Sequence, residues 1–550
     1  MKKDDKLKIA VADCETDPFA YDRKPQPFVW GFEAVDLPFV HFWADTEKDG
    51  VIRTRDEIAE DCCTQFIDYL YSLPDAYCIY MHNGGKFDFM FLMKHIEGNL
   101  RIVNGRILEA HIGPHTIRDS YAAIPVSLAT YKKDDIDYDL LEIETRENNR
   151  YEIVKYLGGD CRYLLEMVTR FREEFGNVLT IGSAAMRAVK KFHAFEEFNA
   201  DQDTEFRDYY FGGRNQCFEV GEIKGAFKTY DKNSSYPHVM SSYLHPVSNT
   251  CEVSNEFDHN TDFVHVVGRN YGGLPKRIKD SLSFVETEGE FKVTGHELRA
   301  ALETGTFEIE SIIKAYTFTT RVTFEEFVNH FYGLRLESAA NKDDLLVLFY
   351  KLILNSGYGK FALNSDNFKD WTITDDDLMA MDPDIWTPEI QSGDFILWAK
   401  RSPQKKFYNV ATGASITGAA RTELLLGLAK AERPIYCDTD SIKCLSLKTE
   451  ADPKKLGAWK LESECDTVYI AGKKLYVDYK DGKPYVDEKG RFKKASKGAR
   501  LTPEQIKNAA LGGTEVYSNP APTFHLDGTV DFMTRTIRKT GHNIFPFSRR

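Results

Sequence analysis

No stretch of this chain approaches the roughly 18 uninterrupted apolar residues that a membrane-crossing helix needs. The start, Met1 to Lys6, is charged and lacks the apolar run of a signal peptide. The 10 cysteines are scattered, Cys14, Cys161, Cys217 and Cys437 among them, and the adjacent Cys62 and Cys63 have no partners at zinc-ligand spacing. That pattern excludes a disulfide framework or a metal finger and fits a reducing compartment, so the expectation is a soluble cytoplasmic protein with no membrane partner. Positive charge is also short: 71 Lys and Arg face 85 Asp and Glu, a net −14, which argues against phosphate binding over the whole surface. Residues 471–500 run the other way, with 8 Lys and 2 Arg against 3 Asp and 1 Glu. A basic patch on an acidic protein can still grip nucleic acid, and a solvated face reads the same way.

What is present is core material. With 42% hydrophobic and 13% aromatic residues in 550, the chain is globular and long enough for roughly three or four domains. Its organising stretch is Tyr436-Cys437-Asp438-Thr439-Asp440-Ser441, which reads as two strand ends meeting at a tight turn. Asp438 and Asp440 are two apart, and on an extended chain such residues share a face. Two carboxylates held that close repel unless a cation such as magnesium lies between them. The hexamer alone leaves both a metal site and a solvated turn open.

Lys8–Ala12 reads as a strand that delivers Asp13 and Glu15 on one face at its end. A second apolar run, Ala76–Met81, ends in His82-Asn83-Gly84-Gly85-Lys86-Phe87-Asp88, where the glycines allow a turn that aims Asp88 at the first pair. The stretch 151–168 reads as a helix with Tyr156 and Asp160 on one face, weakened by Gly158 and Gly159. Four such acids can hold two metals roughly 4 Å apart, the arrangement that activates water in phosphodiester hydrolysis, with Tyr156 orienting that water.

The ordered set Asp-x-Glu, Asn-x-x-x-Phe-Asp, Tyr-x-x-x-Asp resembles the proofreading 3′–5′ exonuclease domain of family B DNA polymerases. The resemblance implies a ribonuclease H-like domain with Asp13, Glu15, Asp88 and Asp160 as metal-site acids, and with Asn83 and Phe87 on a frayed single strand. Lys133-Asp134-Asp135-Ile136-Asp137-Tyr138 is similar to that family's auxiliary exonuclease segment and would set Lys133 on the scissile phosphate.

Further motifs extend the likeness over essentially the whole chain. Tyr210-Phe211-Gly212-Gly213-Arg214 resembles the linker of protein-primed polymerases, which binds template, so Tyr210, Gly212, Gly213 and Arg214 are expected on DNA. Asp231-Lys232-Asn233-Ser234-Ser235-Tyr236-Pro237 is similar to the family motif Asp-x-x-Ser-Leu-Tyr-Pro, with Ser235 where Leu is usual; it makes Asp231 a third acid and sets Tyr236 under the deoxyribose. The run 345–360 reads as a helix ending at glycines, with Lys351, Asn355 and Tyr358 on one face toward an incoming nucleotide. Its spelling matches the family's fingers helix.

By resemblance Asp231 and Asp440 are direct ligands of two magnesium ions, manganese being an alternative, and Asp438 supports them. Lys474 and Tyr476 would meet the primer terminus, and Lys497 the DNA. The expected architecture is an α/β (α+β) chain with an exonuclease domain over 1–190 and a right-hand polymerase domain over 191–550. Within the latter, long intervals around the fingers (about 336–363) leave room for insertions near 250–335 and 364–408, and the thumb begins near 480. The segment Asp375 to Trp386 is expected to project as an acidic loop. In the protein-primed branch of small tailed phages and linear plasmids, such insertions bind a terminal protein and encircle DNA. That implies a monomer acting on primer-template DNA and dNTPs in a host cytoplasm, with a terminal protein as primer and a single-stranded DNA-binding protein as a further partner. A DNA-primed family B enzyme is the alternative.

Overall fold

The computed structural model describes residues 7–364, 367–402, 409–449, 451–452 and 454–543. The charged start Met1–Lys6, Pro453, and positions 365–366 and 403–408 of the second expected insertion lie outside the described residues.

Strand Lys8–Thr16 is the axis of the N-terminal half. It pairs antiparallel with Pro27–Ala34, which pairs antiparallel with Leu37–Trp43. On its other side it lies parallel to Tyr77–Met81, itself parallel to His115–Asp119. This is the ribonuclease H-like order anticipated from the acid motifs. Neighbouring residues of a strand face opposite ways. Trp30 stacks on Phe66 of the helix Arg55–Ser72, centroids 4.7 Å apart. A Cβ on Gly31 would instead meet Leu157 of the helix Arg150–Phe175 at 2.9 Å. Helices therefore cover both faces, and Pro27–Ala34 is apolar almost throughout.

The helix Arg150–Phe175 runs unbroken through the two glycines that weakened its expectation. A Cβ on Gly158 would sit 3.2 Å from the Phe39 ring, and one on Gly159 would sit 2.7 Å from the Asp134 carboxylate. The glycines let this helix press against its neighbours, and that packing outweighs their low propensity, roughly 1 kcal/mol each.

The C-terminal half is built on a second sheet. In order it contains Asn215–Cys217, Tyr436–Asp438, Ser441–Cys444, Gly221–Lys232, Trp459–Gly472 and Leu475–Lys480, with Lys494–Ser496 also paired to the last of these. Helix Val410–Lys430 is buried along nearly its whole length. The interval 250–335 holds a four-stranded sheet from Cys251–Ser254 to Phe307–Phe318 and the helix Gly295–Glu303. Its expected end near 335 falls inside the helix Glu325–Ala340, which packs on Asp344–Phe361. The latter runs through Gly357 and Gly359 to Phe361; a Cβ on Gly357 would meet Ala185 and Val189 at 3.9 and 3.7 Å, an ordinary contact.

The interval 364–408 is not a separate body. Lys369–Thr374 pairs antiparallel with Gly98–Val103, the last strand of the N-terminal sheet, and Ile396–Arg401 and Thr387–Gln391 follow outward. The result is one sheet of ten strands drawn from two distant parts of the chain. The acidic segment from Asp375 to Trp386 connects two of these strands and is largely exposed. At the C-terminal end, the helix Pro503–Ala510 starts at a Thr502 and Gln505 capping box. The small hairpin Thr523–Phe524 with Val530–Asp531 returns to the N-terminal half: the Phe524 ring lies 5.4 Å from that of Phe87, and Tyr21 and Thr534 hydroxyls meet at 3.2 Å.

Candidate active site

The first acid cluster forms where the parallel pairing of Lys8–Thr16 stops. Tyr77–Met81 accompanies that strand only as far as Val11, so Asp13 and Glu15 lie beyond the paired edge, inside the strand rather than past its end. Asp13 pairs in register with Gly31 and therefore faces the helix that carries Asp160. Ligand oxygens of Asp13, Glu15 and Asp160 all lie within 4.8 Å of one another.

Burial pushes all three carboxyls above their usual range; the charges of Asp88, Glu15 and Asp160 add to it for Asp13, and those of Asp160 and Asp88 for Glu15, which is raised to about 8. Lys133 supplies the nearest countercharge, 3.7 Å from Asp160, with its ammonium 5.5 Å from the centre of the Tyr156 ring. The Tyr156 hydroxyl lies near Asp160 and lowers its proton affinity, yet Oδ1 of Asp160 is buried without a hydrogen-bond partner among the described residues. A trio of carboxylates, Asp160 buried and Asp13 and Glu15 half-buried, with one oxygen left over fits a divalent cation, since an ion would satisfy the oxygen and reverse the repulsion.

Asp88 does not join this trio. It is buried and raised to about 7, chiefly by desolvation, but its carboxylate accepts a bond from the Cys14 thiol at 3.3 Å. Cys14 pairs with Trp30 and so points to the face opposite Asp13 and Glu15. Of the four acids expected together, Asp13, Glu15 and Asp160 bring ligand oxygens within 4.8 Å of one another, and Asp88 stands outside that set yet close enough that its charge raises both Asp13 and Glu15. The backbone before it also differs from expectation. Asn83, not a glycine, takes the left-handed conformation, φ 66°. Gly85 is required by space, because a Cβ there would lie 1.8 Å from the Ile107 carbonyl oxygen. The Asn83 amide oxygen accepts from Arg106 at 2.9 Å, and Phe87 is half-buried among Phe19, Phe91 and Phe524.

The second cluster is built on the hairpin of Tyr436–Asp438 and Ser441–Cys444. Asp438 pairs with Ser441, so Thr439 and Asp440 are the two turn residues, with Thr439 at φ 54°. The proximity of Asp438 and Asp440 thus comes from the turn and not from two positions on one strand. Asp231 lies beside Ser441 on Gly221–Lys232. Asp440 is raised to about 7 by burial and then by Asp231 and Asp438.

Lysines relieve the other two acids: Lys460 reaches Asp231 at 3.1 Å and Lys474 reaches Asp438 at 3.3 Å. Opposite stands the helix Asp344–Phe361, with Ile353, Leu354 and Gly357 buried and with Lys351, Asn355 and Tyr358 on its more open side. The Tyr358 ring stacks on Tyr236, 3.9 Å apart and 10° from parallel. Ser235, at the position where Leu is usual, is buried with its hydroxyl unbonded.

The glycine linker abuts this hairpin. A Cβ on Gly213 would strike the Thr439 side chain at 2.6 Å, and the Thr439 amide donates to the Arg214 carbonyl at 2.7 Å. Gly212 is exposed and Tyr210 half-buried. Arg214, expected on DNA, is fully buried: its guanidinium bonds Gln216 and the Gly272 and Gly273 carbonyls and lies over Phe284. Its charge secures the linker against the 263–294 strands, so it is not free to meet phosphate. Lys474 and Lys497, distant in sequence, meet where Leu475–Lys480 pairs with Lys494–Ser496, the Lys497 amide donating to the Lys474 carbonyl at 2.8 Å. Both side chains are exposed, and the Tyr476 ring packs 5.0 Å from Tyr436. Sequence reasoning missed Cys14, Lys460 and the buried pair of Lys443 and Asp478; each is defined by a cross-strand neighbour, for which no local spacing is a signal.

A sheet carrying a turn of acids, faced by a helix that presents a cation, an amide and a ring, and joined to a separate acid cluster on a ribonuclease H-like sheet, defines a polymerase of the right-hand class. The chain belongs to the type B DNA polymerases, organellar and viral, whose family model matches residues 129–455, and it is a DNA-directed DNA polymerase. It is 44% identical to the DNA-directed DNA polymerase of Enterobacteria phage PRD1, over 98% of this chain and 99% of that protein. It is 27% identical to the DNA polymerase of Bacillus phage phi29, over 66% of this chain and 67% of the other. The fold is that of phi29 DNA polymerase solved with primer-template DNA, with a TM-score of 0.70 at 19% identity, covering 97% of this chain and 100% of that one.

Proposed function

We propose that this polymerase copies a linear genome from a terminal-protein primer, edits the 3′ end it has made, and displaces the strand ahead of it. The editing half of the proposal rests on one observation, the converging trio Asp13, Glu15 and Asp160 with an unsatisfied Asp160 oxygen beside Lys133 and Tyr156. Magnesium is the cation we assign to both clusters, with manganese as a substitute; when bound, two such ions supply an activated oxygen nucleophile and stabilise the leaving oxygen. The chain's residues do the rest. Tyr156 orients the attacking water, Lys133 meets the scissile phosphate, Asp88 swings from Cys14 to complete the acid set, and Asn83 and Phe87 hold the frayed strand.

In synthesis Asp231 and Asp440 are the ligands and Asp438 supports them. Tyr236 floors the deoxyribose, while Lys351, Asn355 and Tyr358 receive triphosphate, sugar and base. Lys474 and Tyr476 hold the primer end, and Lys497, Tyr210, Gly212 and Gly213 lie along the DNA. The sheet of 251–318 and the strands of 369–401 support protein priming and encirclement, since they are substantial structures inserted around the fingers helices. A single-stranded DNA-binding protein would cover the displaced strand.

The test is extension of one primer on a single-stranded circle with magnesium and no helicase or clamp. Products many circuits long are expected, Asp440→Ala abolishing synthesis while 3′–5′ degradation persists, and Asp13→Ala doing the reverse. Loss of both activities in either variant would refute the two-site assignment. Synthesis that halts after one circuit would favour a DNA-primed enzyme instead.

A further inference from the structure

Between the acid turn and the strand Leu475–Lys480 lies an ion pair that no motif contains. Lys443 and Asp478 are 1% and 0% exposed, with Nζ and Oδ2 2.6 Å apart. Lys443 sits on the strand leaving the acid turn, two residues after Ser441, and so shares a face with Ser441. Asp478 sits on the strand Leu475–Lys480, which follows the turn residue Lys474, on the same face as Tyr476. In hydrogen-bonding order Gly221–Lys232 and Trp459–Gly472 separate these two strands, yet the sheet curls enough for them to meet over its concave face.

The pair's neighbours connect the acid turn with the strand Leu475–Lys480. The Lys443 ammonium also donates to Thr229 Oγ1 at 2.6 Å, on the face of Asp231 two residues on, and it lies 5.4 Å from the centre of the Tyr476 ring. Tyr436, directly across from Lys443, packs on Tyr476, and its hydroxyl accepts from the Lys474 amide at 3.2 Å. Oδ1 of Asp478 has no hydrogen-bond partner among the described residues. A buried pair with an unsatisfied oxygen adds little to stability compared with apolar residues of similar size, which leaves its placement to be explained.

We infer that Lys443 and Asp478 are positioning residues that register the primer-gripping strand against the acid turn. Resting on the assignment of Tyr476 to the primer end, the inference gives the pair no contact with substrate. It fixes the tilt of the Tyr476 ring and its distance from Asp438 and Asp231, and hence where the primer 3′ oxygen falls. An error of about 1 Å in such alignment lowers turnover by about 10²-fold.

The experiment compares Lys443→Met, Asp478→Asn, Asp478→Leu and the double Lys443→Met/Asp478→Leu with the native chain. It measures thermal midpoint, primer-extension kcat, KM for dNTP and for primer-template, and degradation of single-stranded DNA. Lys443→Met and Asp478→Leu should each lower the midpoint by stranding a buried charge, and the double variant should recover it. Extension in the double variant should stay at least about tenfold low, in kcat or in KM for primer-template, with KM for dNTP and single-strand degradation unchanged. If the double variant extends primers like the native chain, the pair is only a structural bond and the inference fails. Should the double variant not fold, as lost degradation would reveal, Asp478→Asn decides: native extension kinetics in it overturn the proposal. Tyr476→Ala tests the underlying assignment separately, since an unchanged KM for primer-template in that variant removes Tyr476 from the primer and not Lys443 from Tyr476.

Discussion

Asp13, Glu15 and Asp160 repel one another when nothing lies between them, and the protein answers by holding protons. Glu15 is raised to about 8, and Asp88 and Asp440 to about 7, each first by burial. An unfolded carboxyl releases its proton near pH 4, so between about pH 4 and pH 8 the folded chain binds protons that the unfolded chain has lost. Stability contributed by these groups is therefore present at low pH and falls as pH rises through that window. Without divalent cations the thermal midpoint should drop from about pH 5 to about pH 8, and a Glu15→Gln variant should show a shallower drop. Magnesium should raise the midpoint more at the alkaline end, because its ligands must first be deprotonated. A magnesium increment that is the same at both ends would contradict this account.

Tyr236 offers a second residue-scale outcome. Its ring is braced flat on Tyr358 at 3.9 Å, which gives it a rigid edge. Tyr236→Val should lower discrimination against ribonucleotides by at least about tenfold, read as the ratio of kcat/KM values for dNTP and rNTP.

At the scale of elements, much was legible and the exceptions share a cause. Apolar runs and acid spacing identify the strand at 8, the hairpin at 436–444 and the helix at 345–361, because each has a local period or turn. What spacing alone does not reveal is contact. Gly158 and Gly159 weaken a helix in isolation and strengthen it against Phe39 and Asp134. Arg214 reads as a phosphate ligand until Gln216, Gly272 and Gly273 close around it. Asp88 is set apart by Cys14, a residue whose face is known only from its pairing with Trp30. The turn before Asp88 turns this into a measurement. Gly85→Ala forces a methyl onto the Ile107 carbonyl, so it should destabilise the protein by about 1–3 kcal/mol. It should also reduce 3′–5′ degradation while synthesis persists, as nuclease and primer-extension assays on one preparation would reveal.

On the scale of the whole molecule the two halves are fastened at several places among the described residues, two of which use segments far along the chain. The hairpin of Thr523–Phe524 and Val530–Asp531 meets the N-terminal half at Phe87, and Thr534 just after it meets Tyr21. The strands of 369–401 are hydrogen-bonded into its sheet. The second attachment bears on modularity. Gly98–Val103 is an interior strand only because Lys369–Thr374, encoded far downstream, lies beside it. A fragment ending near 190 would expose that strand as a bare edge, and bare edges recruit other chains. Such a fragment should self-associate with rising concentration in sedimentation velocity, and a peptide spanning 369–401 should suppress the association; a monodisperse fragment would argue that the ladder is dispensable. The N-terminal half is thus an incomplete object by itself, finished by a strand lent from the other half, and a graft of it alone onto a foreign polymerase would carry an open seam with it.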